Sequence, residues 1–344
     1  MQLHNRLHLR HLRRKNDILR PGHDMGGWIF GCRRARVATG AAAVILALGG
    51  LLSPVARAQT ADAPSSLAQD DLLQTRTYGL RPGEDDASLT LFAPQNGRRS
   101  GAAVIIAPGG GYVNLAGNLE GRQIADWFAA RGISAFVLKY RHGAGHPLPQ
   151  PIEDGERAVR FVRANARAFG LDADRIGLMG FSAGGHLAAM TVSLSDDGDA
   201  AAPDAVERVS SRPDFLVLAY PWLEATDLNA GGDSEYCRFA RMARWDCAPR
   251  DYVAYTPLPG VVAKAPPTFI YHTTDDALVP VRGSVDLYSA LAMAGKDVEM
   301  HLFAHGSHGS GLGGADPALT LWPQALEAWL RARGYFSKEA QPPS

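Results

Sequence analysis

The sequence predicts an α/β fold: one mostly parallel, doubly wound sheet with helices on both faces. Three observations lead there. Short runs such as 102–107 are apolar and β-branched throughout, rather than alternating, as strands buried on both faces must be. Amphipathic helical stretches recur between these runs, the rhythm of strand–helix–strand crossovers. The chain has 344 residues, 46% of them hydrophobic and 20% charged, which suits a large core and excludes general disorder.

In chain order, 75–80 and 88–92 read as short strands separated by Arg81-Pro82-Gly83. After the buried strand 102–107, the stretch 119–131 sets Ile124, Trp127 and Phe128 on one helical face and ends at Gly132. A strand over 133–140 follows. A long helix is then predicted over 151–169, with Val159, Val162, Ala166 and Phe169 as its apolar stripe and Gly170 at its end. The strand 175–179 runs into Gly180-Phe181-Ser182-Ala183-Gly184-Gly185, and His186-Leu187-Ala188-Ala189-Met190 continues as a helix. A polar loop fills 195–212. Strands are predicted at 214–220, 268–272 and 298–303, with helices at 281–294 and 317–333. Residues 76–335 thus read as one domain, with 336–344 as a tail. The segment 221–267 interrupts the rhythm with Trp222, Tyr236, Phe239, Trp245, Tyr252 and Tyr255. An insertion placed there is expected to be a lid or pocket wall, the alternative being a decorated surface loop with one or two helices.

Charge is unevenly spread. Residues 1–58 hold ten Arg or Lys and two Asp, whereas the remaining 286 residues hold 25 basic and 33 acidic side chains. A mildly acidic body without a basic stripe argues against nucleic acid as a partner. The basic start is expected to be an export leader: Arg33-Arg34-Ala35-Arg36, an apolar run to Leu52, then Ala56-Arg57-Ala58 as a small-x-small cleavage site before Gln59. A membrane anchor is the competing reading, but the run is short and broken by Gly49-Gly50 and Pro54. No stable membrane association is expected once the leader is removed, and the mature protein is expected to be periplasmic or secreted. Met25 as the start would give a leader of ordinary length, and Arg33-Arg34 resembles a twin-arginine signal weakly. Residues 59–75 read as a linker. Cys32 lies in the leader. Cys237 and Cys247 suit a disulfide or two free thiols, and nothing in their spacing decides between them.

Gly-x-Ser-x-Gly between a strand and a helix is the context of a nucleophile elbow, which lifts Ser182 to the tip of a tight turn. A serine hydroxyl is a poor nucleophile at neutral pH. It needs a base to take its proton, and that base needs an acid to fix its tautomer. His308, in Gly306-Ser307-His308-Gly309, follows the last predicted strand, with His305 as the rival base. Asp275 and Asp276 follow the strand before it. All of these loops fall at the carboxyl edge of the sheet, where the serine also points. The order Ser182, Asp276, His308, with gaps of 94 and 32 residues, is that of the α/β-hydrolase fold. An oxyanion needs preoriented N–H donors, and Pro108-Gly109-Gly110-Gly111-Tyr112 supplies a glycine-rich turn after a strand. The donors are assigned to Gly110 and Gly111, with Ala183 as the third. A phosphate loop is the alternative, but no lysine follows and the glycine spacing is wrong.

With these residues in view, the chain resembles bacterial α/β-hydrolase esterases of the acetyl xylan esterase and feruloyl esterase-like type. Matching stretches are Pro108 to Tyr112, Phe136-Val137-Leu138-Lys139-Tyr140-Arg141, Gly180 to His186, Ser211-Arg212-Pro213-Asp214-Phe215, Val279-Pro280 and His308-Gly309. The family pattern sets the acid three residues before the Val of a Val-Pro pair, which is Asp276. The sequence departs from it at Thr273, where glycine follows the histidine in such hydrolases, and at Ser307, where a second glycine is usual. The resemblance implies hydrolysis of short acyl esters of carbohydrates, a small-molecule or oligosaccharide substrate and no cofactor. Tyr112, Tyr140 and Trp222 follow strands at the reactive edge and are candidates to line the acyl or sugar pocket, with core packing as the alternative for each. His301, His305 and His308 have metal-like spacing, but the proposed base already accounts for His308, so no metal is expected. His186 is expected to pack behind the elbow. Two other classes stay open: a peptidase of the prolyl-oligopeptidase type, for whose propeller the linker leaves no room, and a non-catalytic hydrolase-fold binding protein.

Overall fold

Arg81-Pro82-Gly83 turns the chain between two antiparallel strands, β1 (Thr75–Arg81) and β2 (Glu84–Phe92). The hairpin joins the sheet through β2, which pairs antiparallel with β4 (Ser134–Lys139). Every later pairing is parallel. The order is β1-β2-β4-β3-β5-β6-β7-β8, with β3 (Ala103–Ala107), β5 (Ile176–Phe181), β6 (Phe215–Ala219), β7 (Thr268–Thr273) and β8 (Val298–Phe303). The computed structural model describes residues 75–94, 99–223, 244, 254–314 and 316–336.

The four central strands β3, β5, β6 and β7 are buried at every residue, which is why they read as unbroken apolar runs. Alternate side chains feed two separate apolar layers. Ala103, Ile105 and Ala107 join Val159, Leu187 and Leu287 in one; Val104 and Ile106 join Phe128, Trp322 and Leu326 in the other. Accordingly α2 (Gln150–Ala164), α4 (Ala183–Leu194), α5 (Leu258–Lys264) and α6 (Arg282–Met293) contribute to the first layer, and α1 (Gln123–Ala129) and α7 (Leu321–Ala332) to the second. The predicted doubly wound α/β sheet is the observed architecture.

Two predicted helices differ in detail. The stretch 151–169 breaks at Asn165, whose backbone leaves helical geometry (φ −101°, ψ 9°) and whose side-chain amide donates to the Phe161 carbonyl at 2.8 Å. A short α3 (Ala166–Phe169) resumes beyond it. The stretch 119–131 is not uniform either: a π-helical turn, Gly117–Arg122, runs straight into α1. The leader at 1–58, the linker before Thr75, Cys237, Cys247, most of the insertion 221–267 and the tail beyond 336 lie outside the described residues. Among the described residues, no helix is long and apolar enough to cross a membrane.

Candidate active site

Strand β5 ends at Phe181 and helix α4 begins at Ala183, so Ser182 alone makes the turn between them. It does so at φ 51°, ψ −118°, a region that a side chain normally avoids at a cost on the order of 1–3 kcal/mol. Its surroundings hold it there. Ser182 N–H donates to the Ala219 carbonyl at 3.1 Å, and its own carbonyl accepts from Trp222 N–H at 3.0 Å and His186 N–H at 3.1 Å. The flanking glycines permit close approach. A Cβ on Gly184 would overlap the carbonyl oxygens of Ala107 and Pro108, and one on Gly180 would overlap the Gly184 backbone. Neither glycine has positive φ, so the backbone strain sits on the serine itself.

The loops after β7 and β8 deliver the other two groups. Ser182 Oγ lies 2.8 Å from His308 Nε2, and His308 Nδ1 lies 2.7 Å from Asp276 Oδ2. A carboxylate only accepts, so His308 carries its proton on Nδ1 and leaves Nε2 to accept from the serine hydroxyl. Asp276 Oδ1 accepts from Leu278 and Val279 N–H, both at 2.9 Å. Behind it stands His272, fully buried. Its Nε2–H points to the Val279 carbonyl at 3.1 Å, with Asp276 Oδ2 at 3.4 Å, and its Nδ1 accepts from Ser284 Oγ at 2.8 Å. Burial opposes ionisation of Asp276, but hydrogen bonds from His272, His308 and Val279 N–H outweigh it and hold the carboxyl well below its ordinary range. The rivals pair with each other: His305 Nδ1 and Asp275 Oδ2 meet at 2.9 Å on the surface, away from Ser182. His301 stacks on Phe269 and bonds Glu299. Among the described residues, no group of three His, Cys, Asp or Glu is placed to hold a metal.

The glycine turn after β3 is folded through three consecutive residues at positive φ: Gly110 (131°), Gly111 (62°) and Tyr112 (58°). It is closed by Val113 N–H to the Gly110 carbonyl at 3.0 Å and Ala116 N–H to the Gly109 carbonyl at 2.9 Å. The Tyr140 hydroxyl donates to the Pro108 carbonyl at 2.7 Å and fixes its start. Among the described residues, nothing accepts from the N–H groups of Gly110, Gly111 or Ala183. The contact of Gly184 with Ala107 and Pro108 sets the first turn of α4 against this loop, so the unused donors fall beside the serine. A hydroxyl with a base, and N–H groups with no acceptor, can together attack a carbonyl and stabilise the oxyanion that results.

This geometry is matched by a known family. The BD-FAE family model covers residues 89–291. The chain belongs to the BD-FAE family. It is 32% identical over 239 residues to an acetylxylan esterase of Xylanibacter ruminicola, a match that takes in 66% of this chain and 44% of that one. The chain therefore spans less than half the length of that relative. It is 27% identical to esterase LipC of Mycobacterium tuberculosis over 94% of this chain and 82% of the other. Among solved structures, the acetyl ester-xyloside bifunctional hydrolase of Caldicellulosiruptor lactoaceticus superposes with a TM-score of 0.69 at 33% identity, covering 76% of this chain and 97% of that one.

In this BD-FAE chain the three aromatics expected to line the pocket do not line it. Tyr112 and Tyr140 are fully buried and Trp222 is 1% exposed. Their polar ends point inward: the Tyr112 hydroxyl meets His186 Nδ1 at 2.8 Å, Tyr140 grips Pro108, and the Trp222 ring packs 4.6 Å from that of His186. The packing alternative holds, because a ring that braces the oxyanion turn from behind cannot also face the substrate. His186 sits behind the elbow as expected, its Nε2–H donating to the Tyr255 carbonyl at 2.8 Å. A cleft of about 600 Å³ opens beside the base, lined by His308, Ser307, Asp275, Ala277, Leu278 and Asp316 among others. Sequence reasoning passed over Glu120 and Tyr220, both buried next to the site. A lone acidic residue inside an apolar helix stripe is the signal that marks Glu120.

Proposed function

We propose that the chain is a serine esterase that cleaves short acyl esters, acetyl groups on carbohydrate foremost, through an acyl-enzyme. The carrying observation is the hydrogen-bonded line Ser182–His308–Asp276 at a positive-φ serine, beside three N–H groups that lack acceptors among the described residues. Ser182 Oγ attacks the ester carbonyl carbon while His308 Nε2 takes its proton. The oxyanion receives hydrogen bonds from Gly110, Gly111 and Ala183 N–H. Collapse breaks the bond to the alcohol, which leaves with the proton from His308. Water then attacks the acyl-serine, passes a proton to His308, and releases the acid while the serine is restored. Asp276 keeps the imidazole in the required tautomer throughout.

Acetyl and sugar specificity draw support from the similarity to the Xylanibacter acetylxylan esterase and the Caldicellulosiruptor acetyl ester-xyloside hydrolase. A broader carboxylesterase with no sugar requirement is the second reading, favoured by the match to LipC over nearly the whole chain. Action outside the cytoplasm rests on the leader-like residues 1–58. Exported protein beginning at Gln59 would support that placement, and protein retained with its basic segment would oppose it.

The expected outcome for Ser182→Ala is loss of p-nitrophenyl acetate hydrolysis with an unchanged circular dichroism spectrum. Turnover at the wild-type rate would sink the mechanism. A fluorophosphonate probe should label the wild type and not the variant; an unlabelled wild type would favour a binding protein. Acetate release from acetylated xylo-oligosaccharides, set against a panel of simple esters, separates the two substrate readings.

A further inference from the structure

A buried carboxylate stands beside the site with no part in the reaction as written. Glu120 lies on the π-helical turn before α1 and is 3% exposed. Its Oε2 accepts Gly109 N–H at 2.8 Å, and its Oε1 accepts the Tyr220 hydroxyl at 2.8 Å. The same hydroxyl accepts Gly311 N–H at 3.0 Å, from the loop that carries His308. The Tyr220 ring meets the His308 imidazole edge-on, with centroids 5.0 Å apart. Gly109 makes this closeness possible: a Cβ there would fall 2.6 Å from Glu120 Oε2 and 2.9 Å from Ser182 Cβ. No ion pair to Glu120 exists among the described residues. Burying a carboxylate without a cation costs several kcal/mol, whereas an apolar side chain of that size would cost nothing comparable. What a carboxylate alone provides here is two acceptors facing donors on two different loops.

We propose that Glu120 is a positioning residue for the esterase reaction: through Tyr220 it locks the glycine turn that carries the oxyanion donors to the loop that carries His308. The proposal rests on the serine-esterase reading. Gly109 N–H, held by Glu120, fixes the peptide immediately before the Gly110 donor. Gly311 N–H, held by Tyr220, fixes the loop just past the base. The bracket thereby sets the distance between the oxyanion donors and the base, a distance that matters to the transition state and hardly to substrate capture.

The test is steady-state kinetics on p-nitrophenyl acetate, with burst titration to count competent sites. For E120A, kcat per titrated site should fall roughly 10–100-fold with KM within about twofold, the scale of removing a group that orients a reacting residue. E120Q can still accept Gly109 N–H and should lose only about fivefold. Y220F keeps the ring against His308 and removes the hydroxyl alone; kcat should fall about tenfold. The double variant E120A/Y220F should be no slower than E120A, since both cut one bracket. Wild-type kcat per site in both E120A and Y220F, a loss confined to KM, or losses that multiply would each overturn the proposal. Should E120A not fold, E120Q and Y220F decide on the same terms. Ser182→Ala run alongside separates the failures: if it stays active the esterase reading fails, and if it is dead while E120A and Y220F are unimpaired only the bracket fails.

Discussion

Two adjacent carboxylates, Asp275 and Asp276, show how far environment divides identical side chains. The Asp276 side chain is fully buried and accepts from two backbone N–H groups and from His308. Asp275 is half exposed, and its hydrogen bond to the exposed His305 lowers its pKa in a setting where solvent screens the pair. Asp276→Asn offers His308 an amide that can face Nδ1 with its NH₂, favouring the wrong tautomer. The expected fall in kcat is about 10⁴-fold, the size seen when the corresponding acid of a serine protease is so changed. Asp275→Asn should stay within about threefold of wild type, as exposed pairs contribute little. Esterase kinetics on the two purified variants check this, and the reverse ranking would make Asp275 the acid.

At the scale of the element, the elbow is a packing problem solved by glycine. Gly184→Ala puts a methyl into the carbonyl oxygens that end β3, so α4 must back away from the oxyanion turn. A stability loss on the order of 1–3 kcal/mol in urea denaturation is expected, with kcat reduced as the Ala183 donor moves. Unchanged stability would refute the close approach. The elements themselves were largely legible in the sequence. All eight predicted strands form; the four central ones, buried on both faces, cannot hide their apolar runs, and the order Ser182, Asp276, His308 after β5, β7 and β8 followed from the strand pattern. Local chemistry was harder to read. Asn165 looked like an ordinary helix residue until its amide turned back on Phe161, and β2 begins at Glu84 because pairing carries its polar start. Tyr112, Tyr140 and Trp222 were correctly placed at the reactive edge, but strand-end position does not say which way a ring turns. Glu120 carries a signal in its apolar stripe, but what it binds was not legible, because its partners, Gly109 and Tyr220, are 11 and 100 residues away along the chain.

At the scale of the whole molecule, His186 ties three distant parts of the chain together. It rises from α4, receives the Tyr112 hydroxyl of the oxyanion turn and donates to the Tyr255 carbonyl, inside the 221–267 insertion. Trp222 packs on its face. Both ring nitrogens are committed in the neutral form, and burial pushes its pKa down from 6.5 to about 4. The unfolded chain therefore binds a proton at this residue between those two values while the folded chain does not. Stability from His186 is fully present above its unfolded pKa and drains as the pH falls from 6.5 to about 4. Between pH 7 and pH 4.5 that shift is worth on the order of 2–3 kcal/mol. Glutamine at this position can accept from Tyr112 and donate toward Tyr255 without titrating. His186→Gln should thus be less stable than wild type at pH 7, where the imidazole packs better, yet lose on the order of 2–3 kcal/mol less on acidification to pH 4.5. Urea denaturation of both proteins at the two pH values reads the difference directly. Parallel acid losses would mean that His186 takes up its proton without breaking the strut, and that the acid sensitivity of the fold arises elsewhere.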